Sequence, residues 1–191
     1  MKKSLGPQTL TFPLPVYLVG SYDQDGKANI MTAAWGGIAS STPPCLSVSI
    51  QPLRHSFEAI IKNKAFTVSI PDSSLVAAAD LAGIVSGKNH DKFAMAGLTA
   101  VKSDLVNAPY VGECPVVIEC ELFKTLELGS HTMFVGQIMD VKAEERLETA
   151  NGALDMAMVD PITFNVKGDY HKIGASVGKA FSIGKTLKNK L

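Results

Sequence analysis

The sequence predicts a mainly β protein, a β-barrel of short strands carrying a few short helices. Three observations carry that expectation. Val116–Leu128 alternates: positions 116, 118, 120, 122, 126 and 128 are apolar, while Glu119, Glu121 and Glu127 fall on the odd side. That is the period of a half-buried strand. Asp25-Gly26 sits between two apolar runs and signals a hairpin, because both residues tolerate positive φ. Further β-rich runs recur at short spacing with turn residues between them, as in barrels.

Taken in order, the segment to Pro15 reads as extended and punctuated by prolines. Residues 16–22 form a strand and 28–35 return as its hairpin partner. Residues 36–44, rich in Gly, Ser and Pro, read as a crossing. Residues 46–50 and 66–70 are strands, the second stopped by Pro71. Between them Ser56–Asn63 is a short helix, with Phe57, Ile60 and Ile61 on one face. Asp72-Ser73-Ser74 caps a helix over 75–85, which Gly87 ends. Asp91 caps a shorter helix that stops near Gly97. After the long strand, Gly129-Ser130 turns the chain and 131–141 pairs back. On the alternation, the face with Leu126 and Leu128 is buried and the face with Glu119 and Glu121 is solvated. A brief helix over 151–159 ends at Asp160-Pro161. Residues 162–164 close the barrel, and Gly168-Asp169-Tyr170 is a turn. From about residue 175 the chain holds four lysines (179, 185, 188, 190) and no acid, with Phe181, Ile183 and Leu187 among them. It reads either as a solvated terminus or as an arm that packs on a partner subunit.

Composition narrows the function. The 191 residues fit a single domain spanning 1–191. Apolar residues at 46% and charged residues at 19% mark a folded chain rather than a disordered one. A net charge of zero offers nothing to nucleic acid. No apolar run is long enough to cross a bilayer. Met1-Lys2-Lys3 resembles a signal-peptide start, but Gly6, Pro7, Pro13 and Pro15 interrupt any apolar core behind it. Three cysteines without a C-x-x-C pair suggest reduced thiols, and so a cytoplasmic protein. Neither they nor the four histidines (55, 90, 131, 171) have metal-ligand spacing, so no metal is expected. No phosphate-binding glycine motif or nucleophile elbow appears.

The residues that point to chemistry lie between Asn29 and Ser56. Asn29, Met31, Thr32, Ala33, Ala34, Trp35 and Gly36-Gly37 have little bulk apart from Met31 and Trp35, so a flat ligand can reach the backbone. Arg54-His55-Ser56 then places a fixed charge and a hydroxyl at a helix start, an anion site. Ser49 lies on the strand between them. A ring platform and an anion pocket in one segment suggest a nucleotide-like cofactor.

With Gly129-Ser130-His131-Thr132-Met133-Phe134-Val135-Gly136, these stretches resemble the flavin reductase-like family and its flavoredoxin branch of small FMN electron carriers. The resemblance covers roughly residues 12–175. It implies a Greek-key split barrel, FMN as cofactor and a homodimer. Thr32, Ala33, Ala34 and Trp35 would line the ring, and Arg54 and Ser56, less so His55, would hold the phosphate. The loop from Ser86 to Phe93 resembles the family's second phosphate-side element, with Lys92 the second cation and Lys88 the lesser candidate. His131 would lie on the nicotinamide or donor side as a catalytic candidate. Tyr170 would be an aromatic cover for the ring. This chain has Ser130 where the family usually has an acid, which bears on whether NAD(P)H or a redox partner protein is the electron donor. The resemblance therefore implies an electron carrier first and an NAD(P)H-dependent flavin or ferric reductase second. A flavin-free barrel that binds a ligand or partner is the third possibility.

Overall fold

The structure, a computed structural model, describes residues 1–149 and 152–188. In chain order its elements are β1 (Leu14–Pro15), β2 (Tyr17–Tyr22), β3 (Ala28–Ala33), β4 (Gly36–Ser41), β5 (Pro44–Ile50), α1 (Ser56–Asn63) and β6 (Ala65–Ile70). A 3-10 turn, Ser73–Leu75, leads into α2 (Val76–Ile84), followed by α3 (Lys92–Ala96), β7 (Ala100–Lys102) and β8 (Pro109–Val111). The long hairpin is β9 (Val116–Leu128) and β10 (His131–Ala143). Then come α4 (Met156–Val159), β11 (Ile162–Phe164), β12 (Tyr170–Lys172) and α5 (Lys185–Lys188).

The main sheet runs in the order β3-β2-β6-β9-β10-β5-β4. Its two edge strands, β3 and β4, are consecutive in sequence and joined only by Ala34 and Trp35. In a flat sheet those edges would stand ~29 Å apart, at roughly 4.8 Å per strand. A two-residue link spans only about 10 Å. The sheet therefore rolls up until its edges meet, and the 34–35 link crosses the seam. Ser49 N–H donates to the Trp35 carbonyl at 2.8 Å, which extends the β4–β5 ladder into the link.

Inside the barrel, Val19, Leu46, Val48, Ile50, Phe66, Val68, Ile118, Cys120 and Phe134 form the main core, capped by Phe57 and Ile60 of α1. Phe57 meets Phe134 edge-on, with ring centroids 5.1 Å apart. A second cluster packs α2 and α3 against the outer face of β2 and β3 through Leu18, Ile30, Ala79, Ala82 and Phe93. That cluster fixes the loop between α2 and α3 beside β3, where the site forms.

Several expectations need correction. Residues 36–44 are not a crossing: β4 and the start of β5 form a tight antiparallel hairpin, Ser41 facing Pro44. The glycines sit on an edge strand, and the prolines form the turn. Glu119 is not solvated. It is fully buried, 3.1 Å from Lys142 Nζ, and its carboxylate accepts from Leu105 N–H at 2.9 Å. The segment around β7 and β8 covers that face: Thr67 donates to the Pro109 carbonyl, and Ser69 accepts from Val111 N–H. Conversely, Leu126 and Leu128 are exposed. Burial on β9 thus divides along the length of the strand and not by face, whereas on β10 it still alternates, with Thr132 and Phe134 buried. The helix expected over 75–85 is α2, which ends one residue earlier at Ile84, with Val85 already extended. The expected helix over 151–159 shortens to α4, its residue 151 lying outside the described residues, and Tyr170 opens β12 instead of closing a turn.

Candidate functional site

The site follows the seam. At one end is a pocket lined by Met31, Thr32, Arg54, His55, Ser56, Gly83, Ser86, Gly87 and Lys92. At the other is a wider cavity of about 580 Å³, lined by Trp35, Gly36, Gly37, Ile38, Ser47, Ser49 and Met133, with residues 8–11 across its outer side. Residues 31–36 join the two. The seam leaves Ala34 and Trp35 outside the strands β3 and β4, with the Trp35 carbonyl held by Ser49 N–H.

The narrow end is built from buried polar groups. Asn29, 5% exposed, donates from Nδ2 to Ser56 Oγ at 2.8 Å, tying β3 to the start of α1. Thr32 Oγ1 donates to the Ala79 carbonyl, so its hydroxyl is committed to α2. Ala33 points its methyl into the core. Gly87 is required by close approach: a Cβ there would fall 2.0 Å from Asn29 Oδ1. Ser86 steadies the loop, accepting from Lys88 N–H at its hydroxyl and from Asn89 and His90 N–H at its carbonyl. Asp91 caps α3, accepting from Ala94 N–H at 3.0 Å.

Lys92 is the decisive group. Its side chain is only 6% exposed, and Nζ donates to the Ala82 carbonyl at 2.7 Å. Neither Lys92 nor Arg54 has a carboxylate partner among the described residues. Burial, and then the positive charge of Arg54, pull the Lys92 ammonium down to about 8. Two neighbouring cations without a counter-ion are costly unless an anion completes them. A phosphate has the charge and the acceptor oxygens that this donor set lacks.

His55 caps nothing; its Nε2 lies 3.6 Å from Asp23. Lys88 is exposed and lines a neighbouring polar groove rather than the narrow pocket.

At the wide end, His131 stacks beside Trp35, centroids 4.6 Å apart and planes tilted by 35°. Ser130 Oγ lies 2.9 Å from His131 Nδ1, so a neutral hydroxyl orients the imidazole. Ser49 and Met133 are register partners on β5 and β10 and share this cavity. Tyr170 and His171 lie elsewhere. Tyr170 packs on Phe164 and donates to Asp80 at 3.0 Å, and His171 Nε2 pairs with Asn165. Sequence reasoning missed Met133, Ser47, Ile38 and residues 8–11 as lining. Only Gly36-Gly37 carried a local signal, as part of the small-residue run.

Comparison with known proteins bears on this geometry. Residues 9–172 match the family model described as flavin reductase like domain. This chain belongs to the flavin reductase-like family. Among solved structures it is similar to flavoredoxin of Desulfovibrio vulgaris (Miyazaki F), with a TM-score of 0.92 and 48% identity over 96% of this chain and 100% of that one. Flavoredoxin from Methanosarcina acetivorans superposes with a TM-score of 0.90 at 31% identity, covering 98% of this chain and 100% of that one. An uncharacterized protein of Archaeoglobus fulgidus is 36% identical over 68% of this chain and 72% of its own length. The rolled sheet is therefore the family's split barrel. Among the described residues, no group of His, Cys, Asp and Glu could hold a metal, and no helix is long and apolar enough to cross a membrane.

Proposed function

We propose that the seam holds FMN and that the chain is a flavoredoxin-like electron carrier. The observation that carries this reading is the buried Lys92 beside Arg54, a cation pair without a carboxylate, at one end of a groove whose other end is the Trp35–His131 wall. From residue 31 to 35 an extended chain spans about 13 Å, a separation suited to a phosphate and a ring joined by a short polyol.

Lys92 and Arg54 hold the phosphate, with Ser56 and Ser86 beside them. The main chain of Thr32, Ala33, Ala34 and Trp35 donates to the ring edge, and Trp35 and His131 wall one side of it. Bound FMN supplies the tricycle that takes up and returns electrons. The printed names of the two flavoredoxins support the same cofactor and role.

Ser130 beside His131, where the family resemblance leads one to expect an acid, favours a protein donor over NAD(P)H. The exposed apolar Phe123, Leu126 and Leu128 on the hairpin, with Ile38 on β4, support a homodimer. Three free, buried cysteines accord with a cytoplasmic setting.

Titrating FMN into the apoprotein while following flavin fluorescence tests the proposal. Quenching at one equivalent per chain is expected; undiminished fluorescence with a colourless protein overturns it. Adding NADH anaerobically then separates the two redox readings. Slow bleaching supports the carrier, and bleaching within seconds supports the reductase.

A further inference from the structure

Outside the seam, an apolar cavity of about 420 Å³ lies between β1, β11 and α4, lined by Leu14, Ile70, Leu154, Met156, Val159 and Ile173 among others. Leu154, Met156 and Ile173 are 41%, 59% and 45% exposed there, so part of the lining meets water. Two acids neighbour its lining residues, and the Asp155 carboxylate accepts from Ala157 N–H as the cap of α4. Glu148 bridges to Leu154 and Asp155 lies between Leu154 and Met156; neither has an ion-pair partner among the described residues.

The C-terminal arm has the complementary character. From residue 173 to 191 it holds four lysines and no acid. Its Val177 and Phe181 are 96% and 97% exposed. The arm starts at the rim, since Ile173 lines the cavity, and the next residues leave it fully exposed. It also lies beyond the matched family domain, which ends at residue 172. A basic arm with an unpartnered aromatic side chain, rooted at an apolar cavity with two neighbouring acids that it does not fill, is placed to exchange with a copy of itself.

We propose that the arm of one chain seats Phe181 in the β1–β11–α4 cavity of a second copy, reciprocally, with its lysines against Glu148 and Asp155. This rests on the homodimer reading and names the segment that joins the copies.

Two single-cysteine variants test it, Met156→Cys and Ser182→Cys, the latter keeping Phe181. Cys45, Cys114 and Cys120 are all buried, and burial pushes the Cys120 thiol up to about 12, so they stay silent. Under mild oxidation a covalent dimer is expected in the mixture of the two variants and in neither alone. Disulfide closure within one chain of the double variant overturns the proposal, because the arm then folds onto its own cavity. A mixture that fails to cross-link while sedimentation shows dimers also overturns it, and leaves the dimer reading intact. A wild-type chain that sediments as a monomer removes both. Deleting residues 174–191 or making Phe181→Ser should raise the dimer dissociation constant roughly ten- to a hundredfold, as expected for losing a buried aromatic anchor. FMN quenching by the truncated chain should stay within about threefold, so loss of the arm and loss of the cofactor site give different readings.

Discussion

The two ends of the seam are built on opposite principles. The narrow end is a fixed cradle in which Asn29, Ser56, Thr32 and Lys92 already have partners within the chain. The wide end is an open slot whose Trp35 and Ile38 are 39% and 72% exposed and whose outer wall is the exposed segment 8–11. A rigid, charged end supplies affinity without much ordering cost. An open aromatic end leaves the reactive face of a ring accessible to whatever exchanges electrons with it. On the proposed reading, binding strength and chemistry are thereby separated along the seam.

The sharpest way to break this contrast is Lys92→Met, which keeps the bulk and removes the charge. FMN affinity should fall about a hundredfold, roughly 3 kcal/mol for a buried charge-assisted contact. An isothermal titration that returned a wild-type constant would place the phosphate elsewhere.

A pH series comes next in size. Lys92 titrates near 8 in the free protein, and a bound phosphate favours its charged form. Below that pH the ammonium is already present and affinity should be flat. Above it binding must take up a proton, so the dissociation constant should rise by up to about tenfold per pH unit. In Lys92→Met the slope should vanish.

Arg54→Ala acts on an exposed side chain and should cost less, about 1 to 2 kcal/mol, or roughly five- to thirtyfold. A change within twofold would mean that Arg54 is not in the anion pocket.

Trp35→Leu should have the smallest effect on affinity, within about threefold. It should nevertheless alter the flavin absorption envelope and the rate of reduction, because it changes only the ring end. A large loss of affinity with an unchanged spectrum would erase the distinction between the ends.

Much of this was legible from local pattern. The limits of β9 and of α1 follow from period-two alternation and an apolar helix face, the Arg54–Ser56 turn stands out by residue type, and Lys92 is reached only through the family resemblance. What escaped required knowledge of what covers what. Alternation assigns Glu119 to a solvated face, but two short strands from residues 100–111 lie over it and Lys142 neutralises it. The same alternation buries Leu126 and Leu128, yet both are exposed, because the pattern does not say how far along a strand the covering elements extend. Residues 8–11 have no periodicity or motif, so their place at the wide cavity is purely a tertiary fact.

The junction at Ala34 and Trp35 has one more consequence. The groove exists only when the first-laid hairpin and the last-paired strand have both found their places, since its walls come from opposite margins of one sheet. Those margins are neighbours in the chain, but the sheet between them closes only through pairing of β6 with β9 and of β5 with β10, contacts distant in sequence that form late and slowly. Flavin uptake during refolding should therefore lag behind the recovery of secondary structure, and a coloured molecule is one whose cylinder has closed.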